Sequence, residues 1–377
     1  MSDGLHHPGR YVEEIPSLPS ITPLPTSVTA FLGHAPAGPV GEPQAVASLA
    51  EFERVFGPVS HAWGLGYAVR AFFANGGQTA LAVRVEDGST AGTALASLDS
   101  VDLFNLLVLP PITPDSQVPD EVWPTALDYV QKRRAFLLVD PPPTLQAAEV
   151  RGWADRVGLG GAAARNAALY YPRLDQRDPA DGVVRPVAPS GAVAGVYART
   201  DAANGVGKAP AGQLARLVDV VGPSVQVTDA VGSDLNRTGV NVIRSFRGMG
   251  TLVWGSRTLR GADAAGDEYK YVPVRRLALH IEESLHRGTQ WAVFEPNAEP
   301  LWARLRLHVG AFLQSLFRAG ALQGVTAREA YFVKCDHDTT TQTDIAAGLV
   351  HVVVGFAPIK PAEFLVLDLQ ILSAAPP

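Results

Sequence analysis

The chain has a single cysteine, Cys335, among its 377 residues, so no internal disulfide framework can support the fold. No run of about 18 uninterrupted apolar residues occurs, which excludes a conventional membrane-spanning helix and leaves direct membrane insertion unexpected. Met1–Glu14 lacks the apolar stretch of a secretory signal, so synthesis and folding in a bacterial cytoplasm is the expectation. Charge is also sparse. Only 18% of residues are charged and the formal net charge is -6, so the chain lacks the overall basic field with which nucleic-acid binders neutralise phosphates, and no nucleic-acid partner is expected.

Catalytic signatures are missing too. There is no GxxxxGK[ST] loop, no GxGxxG following a strand, no GxSxG elbow and no HExxH or paired-cysteine metal pattern. The most suggestive triplet is Cys335-Asp336-His337, a thiol close to an imidazole. It ends an apolar strand, however, and no third orienting group is apparent, so a buried packing cysteine is the expectation. His6-His7 is terminal and the other histidines are scattered. Glu282, Glu283, Asp102, Asp140 and Asp175 sit at no recognisable acid–base spacing and read as solvated carboxylates. No catalytic residue, cofactor or metal site is expected, and the chain reads as a non-enzyme.

What is present is a sizeable apolar complement, 47% of residues, enough for two or three domains. The first 25 residues carry Pro8, Pro16, Pro19, Pro23 and Pro25, too many for a helix or central strand. Between two of them, Arg10, Tyr11, Val12, Glu13, Glu14 and Ile15 form a short strand candidate. Followed by a stiff proline-rich linker, it is suited to joining the sheet of another subunit, or else is an unstructured tail.

Further on, strands are expected at Ser27–Leu32, Thr79–Val85, Phe104–Leu109, Ala135–Asp140 and Ala167–Tyr171. Helices are expected at Ala47–Phe56, Ala62–Ala74, Val122–Arg133, Gln146–Val157 and Ser190–Thr200. Short, nearly continuous apolar strands alternating with helices indicate an α/β layer covered on both faces. Arg173–Arg185, rich in Asp, Pro and Arg, reads as a surface loop, and Gly261–Gly266 as a flexible break. Val274, Leu277, Ile281 and Leu285 lie at helical spacing. Trp291–Phe294 reads as a short strand and Leu301–Arg318 as a long helix with Trp302, Leu305, Val309, Phe312, Leu313 and Leu316 facing inward. Strands are also expected at Ala330–Lys334, Leu349–Phe356 and Phe364–Ile371. In the last, Leu365, Leu367, Leu369 and Ile371 share one face. Arg304, Arg306 and Arg318 lie on or beside the polar faces of the long helix, either solvated or facing an acidic partner.

Several blocks resemble contractile tail sheath proteins. They include Pro8–Ile15 (PGRYVEEI), Phe52–Pro58 with Leu65–Gly77, Ala188–Asp201 (APSGAVAGVYARTD), Gly207–Ala211, Asn236–Asn241 and Val253–Leu259. The strongest are Tyr271–Leu279 (YVPVRRLAL), Arg287–Asn297 (RGTQWAVFEPN), Leu301–Arg304, Gly320–Gly324, Tyr331–Asp336 and Ala357–Phe364. The resemblance spans nearly the whole chain in order. It implies an α/β (α+β overall) sheath fold with a subtilisin-like middle domain stripped of protease chemistry, and a C-terminal mixed sheet flanked by helices. The corresponding divisions are an arm and linker at 1–25, an N-terminal segment at 26–90, the middle domain at 91–262 and the C-terminal domain at 263–377.

The resemblance further implies stacked hexameric rings around an inner tube, with contraction driving that tube through a target envelope. The implied partners are further copies of the chain, the inner tube protein, baseplate and cap proteins, and sheath paralogues, in a phage tail or phage-tail-like particle. Strand arms from Arg10–Ile15 and from Phe364, Leu365, Val366, Leu367, Asp368 and Leu369 would link neighbouring subunits, and Arg304, Arg306 and Arg318 are the candidates for tube contact. Two other readings stay open on the residues alone, a divergent subtilisin-like hydrolase and a different self-assembling shell protein.

Overall fold

The computed structural model describes residues 21–86 and 90–363. In chain order, β1 (Thr29–Gly33) and the short β2 (Gln44–Val46) lead into helices α1 (Leu49–Phe56) and α2 (Gly64–Ala74) and strand β3 (Ala80–Arg84). Alternation continues through α3 (Ala91–Ala96), β4 (Leu106–Val108), α4 (Val122–Lys132), β5 (Phe136–Val139), α5 (Ala147–Arg156) and β6 (Ala167–Tyr171). Then follow β7 (Leu174–Arg177), β8 (Val184–Val187), α6 (Ser190–Asn204), β9 (Gly222–Pro223), α7 (Asp229–Arg237), β10 (Val240–Phe246) and β11 (Gly250–Val253). The last third holds α8 (Val272–Gly288), α9 (Glu299–Arg318), α10 (Ala327–Ala330), β12 (Tyr331–Lys334), α11 (Gln342–Ala346) and β13 (Val353–Phe356).

Eight strands form one sheet in the order β11-β10-β6-β5-β4-β1-β3-β2. Its inner pairs are parallel and only the outermost strands, β11 and β2, run antiparallel. The continuous apolar strands follow from burial on both faces. In β5, Phe136 and Leu138 enter the core beneath α2 and α6, whereas Leu137 and Val139 enter the opposite core with Trp123 of α4 and Trp153 of α5. The expected division at 90/91 falls inside this sheet, because β1 from the earlier segment is hydrogen-bonded between β3 and β4. Parallel pairing of β1 with both neighbours requires the two segments to fold as one layer.

Helix α6 is buried on all sides from Ser190 to Ala198, and its small residues explain why. A Cβ on Gly191 would lie 2.4 Å from the Ala68 carbonyl oxygen, and one on Gly195 2.4 Å from that of Phe72. The Gly-x-x-x-Gly spacing lets the backbones of α6 and α2 meet with no side chain between them. A second lobe consists of α8, α9 and the two-stranded β12–β13 sheet around Leu277, Ile281, Val309, Phe312 and Leu313. Helix α8 joins the lobes. Val272 and Leu279 pack in the core of the large sheet, Leu277 and Ile281 in the second core.

Three sequence expectations are corrected. The surface loop expected at Arg173–Arg185 contains β7 and the start of β8, which with β9 form a three-stranded antiparallel sheet. Some of its charges pair across the turn: Arg185 bridges buried Asp178 at 2.9 Å and half-exposed Asp181 at 2.5 Å. The strand expected at Trp291–Phe294 is instead a 3-10 turn over Gln290–Ala292 with Phe294 at φ 70°. The break at Gly261–Gly266 is held by ion pairs. Buried Asp267 accepts from Arg165 and Arg260, and Asp263 accepts from Arg257 and Lys270. Two smaller differences concern ends: β13 begins at Val353 rather than Leu349, and α6 runs on to Asn204.

Candidate assembly surfaces

Among the described residues, the β12–β13 sheet of the second lobe has no third strand, and only Leu322 bridges Pro358 just beyond β13. The Ala357 N–H donates to the Ala330 carbonyl, and the register continues Phe332↔Gly355 and Lys334↔Val353. By the alternation of antiparallel ladders, Val333 and Val354 turn their backbone N–H and C=O groups away from the partner strand. No other named strand pairs with β12 or β13 among the described residues. The inner face of the sheet, carrying Tyr331, Val333, Val354 and Phe356, packs on the core, while Phe332 and Val353 are exposed outside. Short, apolar and open, this is the edge geometry that accepts an added strand.

The strand arms expected at Arg10–Ile15 and Phe364–Leu369 lie outside the described residues, but the roots of both flanking segments are described, and each is clamped by a buried arginine. On the N-terminal side, the Thr26 hydroxyl donates to Asp201 Oδ2 at 2.7 Å. Arg276 donates to both Asp201 oxygens, at 2.9 and 2.6 Å, and to the Thr26 carbonyl at 2.8 Å. On the C-terminal side, Arg257 donates Nε and Nη2 to the two oxygens of Glu363 at 2.7 and 2.6 Å. Its Nη1 reaches Asp263 and the carbonyls of Asn236 and Gly261. Burial opposes the Arg257 charge, but the hydrogen bonds and attraction of Glu363 and Asp263 outweigh it and hold the guanidinium above its ordinary pKa. Asn241 completes the junction, accepting from the Arg257 N–H and donating to its carbonyl.

The arginines expected at a tube surface divide into two kinds. Arg304 lies over the Trp291 ring at 5.0 Å and pairs with Glu295. Arg306 pairs with Glu299 at 2.5 Å and donates to the Cys335 carbonyl. Both therefore brace the lobe internally, whereas Arg318 is exposed at the last turn of α9.

Cys335 is fully buried beside Leu301, Trp302 and Leu305, and burial pushes its thiol pKa up. His337 instead meets Trp302 edge-on at 4.9 Å. The carboxylates read as solvated are largely engaged. Glu283 pairs with Arg134 at 2.7 Å and Arg287 at 2.6 Å, and Arg287 also holds Asp102. Glu282 pairs with Arg275.

Asp140 is the clearest departure from a solvated carboxylate. It is buried at the end of β5, accepts from the Ser190 N–H at 3.0 Å at the start of α6, and is pushed up to about 6 by desolvation. Its other oxygen, the Ser190 hydroxyl and Arg173 Nε are buried with no hydrogen-bond partner among the described residues. Sequence reasoning also missed Arg257, Arg276 and Asp201. All three fall in or beside matched blocks, but a lone charged letter carries no sign of burial.

Comparison with known proteins matches the same architecture. The family model of the phage tail sheath central domain covers residues 87–259, and that of the phage tail sheath C-terminal domain covers 264–371. The sheath of an extracellular contractile injection system, solved as the PVC sheath complex in the contracted state, is 31% identical. The match covers 97% of each chain with a TM-score of 0.79. The helical sheath of the anti-feeding prophage, also in its contracted state, is 32% identical over 96% of this chain and 98% of that one, with a TM-score of 0.77. A curated relative, a putative prophage major tail sheath protein of Pseudomonas aeruginosa (strain UCBPP-PA14), is 25% identical over 277 residues, 71% of this chain and 66% of that protein. The match thus spans just under two thirds of that relative's length. The chain belongs to the phage tail sheath family. It is a structural sheath subunit of the class that serves phage tails and contractile injection systems.

Proposed function

We propose that copies of this chain polymerise as stacked hexameric rings around an inner tube, and that the stack shortens to drive the tube through a target envelope. The observation that carries the reading is the pairing of an open-edged β12–β13 sheet with two terminal segments, each rooted on a buried arginine clamp. Residues 10–15 and 364–369 of neighbouring copies add to the free edges of that sheet. Main-chain hydrogen bonds make the link and alternate side chains fix its register. The clamps at Thr26–Asp201–Arg276 and Glu363–Arg257 carry load from the linked strands into the large sheet while rings slide and rotate. Arg318 is the arginine of the long helix left to face the tube.

Energy for the stroke comes from the difference between two packings of the same subunits rather than from nucleotide hydrolysis. Baseplate and cap proteins bound the stack, and sheath paralogues share it. The chain carries no chemistry of its own in this reading. Asp140 and Ser190 meet through a backbone N–H and serve as a buried helix start, which favours a structural role over a divergent hydrolase.

Negative-stain electron microscopy of the purified chain, alone and co-expressed with the tube protein, tests the proposal. Hollow tubes or stacked rings are expected. Monomers under both conditions, or a requirement for ATP in contraction of extended particles, would overturn it.

A further inference from the structure

The loop joining α8 to α9 displays apolar side chains in a way that packing among the described residues does not explain. Phe294 is fully exposed, at 102% of its reference area, and Val293 beside it is exposed at 62%. Phe294 also sits at φ 70°, a region that side-chain-bearing residues disfavour, so a strained backbone presents a large aromatic ring to solvent.

The loop is braced on both flanks. Before the ring, Trp291 lies under the Arg304 guanidinium, which also pairs with Glu295 just after it. Further on, Asn297 accepts from Trp302 Nε1 and donates to the Leu349 carbonyl, both at 2.9 Å. The loop backbone around Phe294 is therefore held in place, so docking does not have to order it.

We infer that Val293 and Phe294 form a knob that inserts into a second copy of this chain when the sheath assembles. The inference rests on the assembly reading above. A second copy is favoured over another protein by continuity with the proposed strand-exchange surface. Asn297 ties the knob loop to Leu349, which is exposed and runs directly into β13, whose Val353 is exposed in turn. The knob loop is thus tied to the segment that enters β13, and a neighbouring subunit that adds a strand there would also meet the knob. A knob that fits a different site on the next copy makes a heterologous contact, the kind that propagates as an open helix.

Phe294→Gly in the full chain separates presentation from packing. Glycine accepts the positive φ, so the monomer is expected to melt at the same or a higher temperature. Its polymerisation, read by sedimentation of the chain alone, should need at least tenfold more protein. Phe294→Leu, which keeps apolar bulk, should restore most of the loss. Polymerisation of Phe294→Gly at the wild-type concentration would overturn the inference, and so would a defect confined to co-sedimentation with the tube protein. A wild-type chain that stays monomeric alone and with the tube would instead overturn the assembly reading beneath it.

Discussion

Two of the buried arginines, Arg257 and Arg276, sit where the terminal segments leave the body. The Arg257 side chain is 1% exposed and that of Glu363 16%, so their bidentate contact is shielded from screening. Removing one partner leaves the other charge buried. Arg257→Ala is expected to cost about 3–5 kcal/mol in urea denaturation, with Glu363→Ala non-additive in a double-mutant cycle.

Asp140 behaves in the opposite sense. Its folded pKa, about 6, lies above the ordinary carboxylate value. Its favourable contribution is therefore complete below the unfolded pKa and is lost as pH rises through about 6. A shift of that size is worth about 3 kcal/mol. The melting temperature of Asp140→Asn should consequently fall less than that of the wild type between pH 4.5 and 7.5, and parallel curves would refute the assignment.

At the scale of elements, contact between α2 and α6 depends on two hydrogen atoms in place of side chains. Gly195→Val would drive a branched side chain into the Phe72 carbonyl and into Asn75, whose own Cβ would lie 2.7 Å from the new one. A loss of about 3 kcal/mol is expected by denaturant titration. Gly92, in α3, is the control. A Cβ there meets nothing within 4 Å among the described residues, and its φ is not in the left-handed region. Gly92→Ala should therefore stabilise by about 0.5–1 kcal/mol through helix propensity alone.

The same element logic explains why the β7–β8 hairpin was illegible in sequence. Its turn is closed in part by Arg185 reaching Asp178 and Asp181, and composition cannot distinguish that pairing from a polar loop.

At the scale of the molecule, two lobes share α8, and each terminal segment is rooted on a different part of the body. Thr26 is tied to α6 and α8, and Glu363 to the Arg257 junction that follows β11. Both clamps are formed by described residues. Deleting residues 1–15, or 364–377, is therefore expected to leave the monomer's cooperative melting intact while abolishing tubes in electron micrographs. A truncated chain that still forms tubes would show that the body surfaces suffice.

The large sheet was legible because a parallel strand buried on both faces is a continuous apolar run. Phe136–Val139 and Ala167–Tyr171 state their role in their own composition. The long helix was legible because Trp302, Leu305, Val309 and Phe312 recur at helical spacing, and the family could be read from ordered blocks of residues. Only the tertiary structure decided which charges are buried, since Arg276 and Asp201 are 75 positions apart and become partners only when α6 and α8 pack. It also decided that Phe294 points outward. Local residue content favours a strand there, but among the described residues no strand lies alongside to pair with it, and the braces from Arg304 and Asn297 impose a turn instead. Periodicity registers burial along one element, whereas ion pairing and exposure depend on what other elements bring alongside.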